Sequence, residues 1–515
     1  RRLTSVTSNT LEKIEYTYNL EGSVTSTVIK NSGGGIVFNQ TQTFDELNRL
    51  LKHIGASTQT TTYAYEKNDN LKSVTDPRSG LYSYAYDSLN RLIRETDQEN
   101  SQVNLTRTGI DEIATYSDPR ALVTTYTRNG FGEVKRRASP DSGNTDYVRD
   151  LRGLVTQMTD GRAIVTNMTY DNAGRLLTKT YPAAVAENVT YTYDAILAGN
   201  KGKGRLTKVQ SQISTLEWVY DVRGNILTDK RTINAKVYTT TYLYDLADRV
   251  TQITYPSGRI VTYARDGMGR ISGVTTKKTS ASAAVTVASL IDYMPLSTLV
   301  KSFNSGNGLN DWNTYTLDYE TDVLGVYNAG ANVCNVATSR TDNLNITNLW
   351  DNVTAANNQT LSYSPANRLT NASGAYGTRV WGYDGVGNRT SETSTPVGGS
   401  ATARTYTYPA TNNKLSNVKI GATTERTFIH DGAGNITSDT RSGTAYAYAY
   451  NKRNRLNTVR VAASLKGTYT YNGLEQLAIR VSTNQTPAGT THFIHDIFGN
   501  VIAETNGALA TPNTV

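Results

Sequence analysis

The residues with the greatest chemical potential lie near the end of the chain: His492, His495 and Asp496, with His430-Asp431 as a second pair. Two imidazoles and a carboxylate at short spacing could ligate zinc, or act as a general base with its orienting acid. Zinc, however, wants three or four converging ligands, and on a strand residues three apart point to opposite faces. His495-Asp496 and His430-Asp431 also occupy a place that Tyr-Asp fills elsewhere, which assigns them to structure. Cys334 is the single cysteine, so an intrachain disulfide and a cysteine metal cluster are both excluded. It has no histidine in its sequence context, and a lone thiol of this kind is ordinarily a packing residue. Gly33-Gly34-Gly35 could cradle a phosphate, but no Gly-Lys-Ser/Thr follows, and it reads as a loop. The expectation is a chain with no catalytic, cofactor-binding or metal-binding residue.

The elements that hold these residues are repeats. Tyr170-Asp171-Asn172-Ala173-Gly174-Arg175-Leu176 recurs as Tyr86-Asp87-Ser88-Leu89-Asn90-Arg91-Leu92 and as Tyr220-Asp221-Val222-Arg223-Gly224-Asn225-Ile226. The turn-opening positions 45, 66, 87, 108, 129, 150 and 171 follow one another at intervals of 21, and a second run occupies 364 to 496. Such a period fixes the architecture before any other consideration. In Tyr82-Ser83-Tyr84-Ala85-Tyr86 the alternation sends the tyrosines to one face of a strand. Aspartate then opens a turn, its carboxylate accepting from backbone N–H groups ahead of it. Three residues on stands Gly or Asn, types that tolerate a left-handed backbone.

The expected turn pairs are Asp87 with Asn90, Asp150 with Gly153, Asp171 with Gly174, and Asp221 with Gly224. Later copies give Asp266 with Gly269, Asp384 with Gly387, Asp431 with Gly434, and Asp496 with Gly499. Substituting Asn90 by Gly is expected to be neutral or slightly stabilising. A second strand follows each turn, and the far end of the hairpin carries a Pro or Gly turn such as Asp76-Pro77-Arg78-Ser79-Gly80, Asp118-Pro119-Arg120 or Tyr255-Pro256-Ser257-Gly258.

The fold class is all-β. About 20 hairpins make about 40 strands, and at roughly 4.8 Å per strand one sheet would run on the order of 190 Å. Open sheets of that size curl, so native twist implies a long rolled wall around a large interior. The 515 residues hold 34 Tyr against 7 Phe and are 19% charged, a composition suited to strands whose aromatic faces keep a polar tip. The net charge of +8 is modest, and arginine is spread through the post-turn positions Arg91, Arg175, Arg249 and Arg270. No nucleic-acid groove follows from that distribution. There is no transmembrane segment and no signal peptide; the chain opens inside a repeat and reads as a fragment.

Tyr-x-Tyr-Asp-x-x-Gly-Arg-Leu, with its Asp-Pro-Arg partner, resembles the tyrosine-aspartate (YD) repeat of bacterial Rhs proteins, shared with toxin-complex B and C subunits, wall-associated proteins and teneurins. The resemblance implies a hollow spiral β-shell that, in the bacterial members, encloses the C-terminal toxin of the same polypeptide. The partners it implies are that toxin segment, which is missing from this chain, and secretion-system or delivery proteins. Location as a secreted or surface-delivered bacterial protein is implied with them. The family's self-cleaving core segment, of Asp-Pro-x-Gly character, has no counterpart after Asn506. The alternative function is an adhesion scaffold binding a cell-surface glycan, and no cofactor is expected in either case. The expected organisation is degenerate repeats at 1–43, a regular array at 44–272, degenerate repeats with longer loops at 273–360, a second array at 361–505, and a disordered or truncated tail at 506–515.

Overall fold

A computed structural model describes residues 2–196, 199–483 and 489–506, and the backbone of 513–514. It contains 46 strands in one sheet and, among the described residues, no α-helix. Short 3-10 segments occur at Val185–Glu187 and Ala355–Asn357. Among the described residues, no helix is long and apolar enough to cross a membrane. Pairing is antiparallel and joins strands that follow one another in the chain. Strand Leu81–Tyr86, for example, takes Leu71–Thr75 on one side and Leu92–Thr96 on the other. Local pairing of this kind needs only short turns, which is what the sequence supplies.

Most strand residues are half-buried along their whole length, as in Val155–Thr159 and Ile271–Lys277, the pattern of a single-layer wall. The stretch that loses the sequence signature keeps the architecture: Val300–Ser305, Asn310–Tyr315, Thr321–Asn328 and Ala331–Arg340 remain paired hairpin strands. Most of the expected disordered tail lies outside the described residues, but the backbone of Asn513–Thr514 pairs with Val501–Thr505.

The chain forms two compact units, each assembled from an early and a late segment with a short strand piece between. The first comprises Arg1–Val123, Ala264–Val274 and Thr286–Tyr406, and the second Thr124–Tyr263, Thr275–Val285 and Thr407–Val515. These divisions do not coincide with the segments expected from sequence.

The second unit holds both apolar clusters. Strand Ser214–Tyr220 alternates strictly, burying Leu216, Trp218 and Tyr220 against Val189 and Val209. The other cluster joins Ile233 and Tyr238 of the early segment to Ala478, Ile494, Ile502 and Ala503 of the late one.

Candidate functional site: the repeat turns

One turn shows how the repeat works. The backbone N–H of Asp87 bonds the carbonyl of Arg91, and that of Asn90 bonds the carbonyl of Asp87. The Asp87 carboxylate accepts from the N–H groups of Leu89 and Arg91 at 2.9 and 3.0 Å, and from Arg91 Nε at 2.7 Å. Asn90 sits at φ 62, and the strand register shifts between Ala85 and Tyr86 to absorb the extra residue. The same carboxylate cradle recurs at Asp150, Asp171, Asp221, Asp266, Asp384, Asp431 and Asp496. Their partners Gly153, Gly174, Gly224, Gly269, Gly387, Gly434 and Gly499 all have φ between 79 and 99. Where the aspartate is lost, an asparagine or a hydroxyl stands in: Asn129 Oδ1 accepts from the N–H of Glu133, Thr316 Oγ1 from that of Glu320, and Thr341 Oγ1 from that of Asn345.

Each unit also grips its neighbours, which the motif alone does not disclose. The tyrosine before the turn-opening residue reaches back about fifteen residues: Tyr86 OH donates to the Leu71 carbonyl, Tyr65 to Leu50, Tyr170 to Val155 and Tyr383 to Leu369. The post-turn arginine reaches forward. Arg49 pairs with Asp45 in its own turn and with Asp69 in the next, and Arg91 does so with Asp87 and Asp111. Asn70 uses its side-chain amide in the same way, donating to Asn90 Oδ1 at 2.9 Å. Where arginine replaces the tyrosine, it closes its own turn, Arg128 and Arg149 donating to the carbonyls of Gly132 and Gly153, and Arg107 also reaches back to the Leu92 carbonyl.

The electrostatics follow from this wiring. The Arg91 guanidinium, with the N–H groups of the turn, holds the Asp87 carboxyl below its ordinary range. Backbone and side-chain bonds from Arg175 do the same to Asp171. Arg249 lowers Asp245 to about 2. Burial raises the phenols of Tyr86 and Tyr170, so both remain hydrogen-bond donors.

The far-end turns carry the same cradle and a second task. In the first unit, Asn343 donates to Asp76 Oδ2 at 2.8 Å, Arg368 pairs with Glu99 at 3.0 Å, and Asp318 accepts from Ala56 N and Gln59 Nε2. In the second unit, Arg162 donates to the carbonyls of Asn451 and Lys452, and Glu187 accepts from the N–H groups of Lys452 and Arg453. Within each unit, early far-end turns therefore dock on late Tyr-Asp turns. Gly161 and Gly432 meet backbone to backbone in this seam, where a β-carbon on either would strike the other's carbonyl.

His492 and His495 fall in the second unit's seam, whereas His430 is half-buried at the end of its own strand. His492 and His495 are 2% and 6% exposed. Asp229 and Arg231, also buried, form an ion pair at 2.9 Å, and Arg231 bonds the Asp496 carbonyl. No group of three or more His, Cys, Asp or Glu that could hold a metal occurs among the described residues. Cys334 is a half-buried free thiol.

The Teneurin YD-shell family model matches residues 2–183 and 146–307, together more than half of the chain. No curated protein matches the sequence. A crystal structure of TcdB2-TccC3 superimposes with a TM-score of 0.78 at 13% identity, over 96% of this chain and 31% of that chain. A Photorhabdus luminescens Tc holotoxin pore carrying a TccC3 mutation gives 0.79 at 13% identity, over 96% and 29%. TcdB2-TccC3 without its hypervariable C-terminal region gives 0.77 at 13%, over 94% and 30%. At this identity the likeness is one of fold, and the chain spans about a third of the length of these proteins. Tyr-Asp turns, tandem hairpins and the matched residues agree, and the chain belongs to the YD-repeat (Rhs, teneurin YD-shell) family.

Proposed function

We propose that the chain is a stretch of wall in an exported bacterial toxin-complex shell, and that it works by enclosing another polypeptide segment. The observation that carries this reading is the pair of seams. Early and late hairpins of each unit are locked turn to turn by bonds such as Arg368–Glu99 and Arg162–Asn451, so strand ends that would otherwise be open are occupied by the chain itself. The chemistry recurs in phase from hairpin to hairpin, whereas a catalytic set is a single constellation. The enclosed segment is a toxin, C-terminal in the same polypeptide, and the shell acts with other toxin-complex components. TcdB2-TccC3 supports this as a two-component complex with a hypervariable C-terminal region. A face rich in Tyr and Thr would contact a loosely folded cargo without offering it one strong apolar site.

The test is to express the complete reading frame and follow the segment beyond these repeats. It should co-purify, resist added protease, and stay inactive until the wall is denatured. A segment digested at the rate of free peptide, or active while attached, would overturn the proposal.

A further inference from the structure

Strand Gly489–His495 differs from the half-exposed repeat strands: Thr491 to His495 are all buried, as is Asp496 after them. It pairs with Leu477–Ser482 and Val501–Thr505 and packs on the early strands Ile226–Ile233 and Lys236–Tyr244. Tyr238 OH and His492 Nδ1 lie 3.0 Å apart, Arg231 Nη2 donates to the Asp496 carbonyl at 2.9 Å, and Ile497 N donates to Tyr242 OH at 3.4 Å. Two of the four histidines of the sequence are thus shut into one seam.

The charges around them are mostly committed or of the wrong sign. From strand Ile226–Ile233 come Arg231 and Asp229, the latter held by Arg231 through both oxygens. From Lys236–Tyr244 come Lys236 and the phenols of Tyr238 and Tyr242. Arg480 on the neighbouring strand lies over the Phe493 ring, and Glu504 pairs across from Phe493. The Asp496 carboxylate is taken up by its own turn, accepting from Phe498 N, Asn500 N and Asn500 Nδ2. His495 Nδ1 has no hydrogen-bond partner among the described residues.

We propose that this seam is an acid-sensitive latch, in which protonation of His492 and His495, buried beside Lys236 and Arg231, releases strand Gly489–His495 and its hairpin from strands Ile226–Ile233 and Lys236–Tyr244. Burial, reinforced by Arg231 and partly offset by Asp496, lowers His495 to about 4. Burial and Lys236 also lower His492. An opened strand takes up its protons near pH 6.5 and a closed one only at lower pH, so closure weakens as pH falls from about 6.5 towards 4. Each pH unit in that window favours opening by up to about tenfold through His495, and His492 acts in the same direction. The latch stands on the seam alone, whether or not the wall encloses a cargo.

Amide exchange on the intact chain from pH 7.5 to 4.5, corrected for intrinsic rates, tests it. Residues 226–244 and 489–505 should lose protection together below about pH 6, by tenfold or more, while the strand Val165–Tyr170 stays protected. His492→Gln/His495→Gln should flatten the profile, and His495→Gln alone should shift it part of the way, which serves if the double variant does not fold. His53→Gln, in the other unit, should retain the wild-type profile. Protection maintained to pH 4.5 in the wild type, or opening at an unchanged pH in the histidine variants, would overturn the proposal.

Discussion

The guanidinium of Arg175 lies 4.5 Å from the ring centroid of Tyr193 in the following hairpin. From that position it donates to Asp171 Oδ2 behind it and to both carboxylate oxygens of Asp194 ahead. One side chain thus joins two turns and a ring, a task that needs a planar fork and not merely a positive charge. Arg49 over Tyr65 and Arg270 over Tyr293 repeat the stacking. Arg175→Lys should therefore lower the melting temperature although charge is kept, and Arg175→Met should lower it further. A lysine variant that melts with the wild type would show that charge alone suffices.

The tyrosine of the motif acts in the opposite direction along the wall. Tyr170 OH donates to the Val155 carbonyl at 2.8 Å, tying its strand to the preceding hairpin. Tyr170→Phe keeps the ring and removes this bond, and should cost about 1 kcal/mol. Urea unfolding of the two proteins measures it, and an unchanged midpoint would assign the tyrosine to packing alone.

These two contacts explain how far the sequence could be read. The carboxylate cradle and the left-handed fourth position are local, visible within the eight residues from Tyr170 to Leu177, and recurrence of that stretch along the chain marks the period. The hydroxyl of Tyr86 finds Leu71 at a separation of 15, a distance that the 21-residue period does not mark. The seam is harder still: Arg162 meets Asn451 289 residues away, and only the folded chain sets that offset. His495 reads as one more Tyr-Asp tyrosine, because its burial comes from the distant strands 226–244 and not from its own repeat.

The fourth turn position separates two uses of one backbone conformation. Gly174 stands at φ 79, so Gly174→Val forces a β-branched residue into the left-handed region and should cost about 1 kcal/mol or more. Asn90 has the same backbone, but its Oδ1 also accepts from Asn68 and Asn70 of the preceding turn. The sequence alone favours glycine there; with these bonds in view, Asn90→Gly should lower stability by about 0.5–1 kcal/mol. Equal melting of Asn90→Gly and wild type would return the asparagine to a purely conformational role.

Acid should act on the turns in a window of their own. Asp87 and Asp171 titrate below the ordinary aspartate value of 3.8, and Asp245 at about 2, because arginines and turn N–H groups favour their charged forms. Stability from such depressed carboxyls is complete above about pH 4 and is lost as pH falls towards 2. Asp245→Asn should remove part of that fall. The histidine seam responds at higher pH, so an acid titration should show residues 489–505 opening first and the hairpin turns melting later. A single transition at one pH throughout would contradict the assignment of the two windows.

The last expectation concerns a close backbone approach in the second unit's seam. Gly161 follows the turn aspartate Asp160, and Gly432 follows Asp431; neither has the left-handed φ of the fourth position. Conformation therefore does not demand glycine at either site, and an alanine would be tolerated by the isolated turn. The demand comes from the docking: a β-carbon at Gly432 would collide with the Gly161 carbonyl, and one at Gly161 with the carbonyls of Ser142 and Gly432. Both obstacles are backbone, so neither can swing aside as a flexible side chain would. Gly432→Ala should force the two turns apart and weaken the neighbouring bonds from Arg162 to the Asn451 carbonyl and from Asn413 N–H to the Asp141 carboxylate. Amide exchange would then show faster opening at 139–164 and 409–453. Gly387→Ala serves as the comparison: it lies at the fourth position with no atom within 4 Å of its β-carbon, and should act through backbone strain alone, leaving the second unit's seam intact. If Gly432→Ala exchanges like the wild type across both segments, the two turns do not meet backbone to backbone as described.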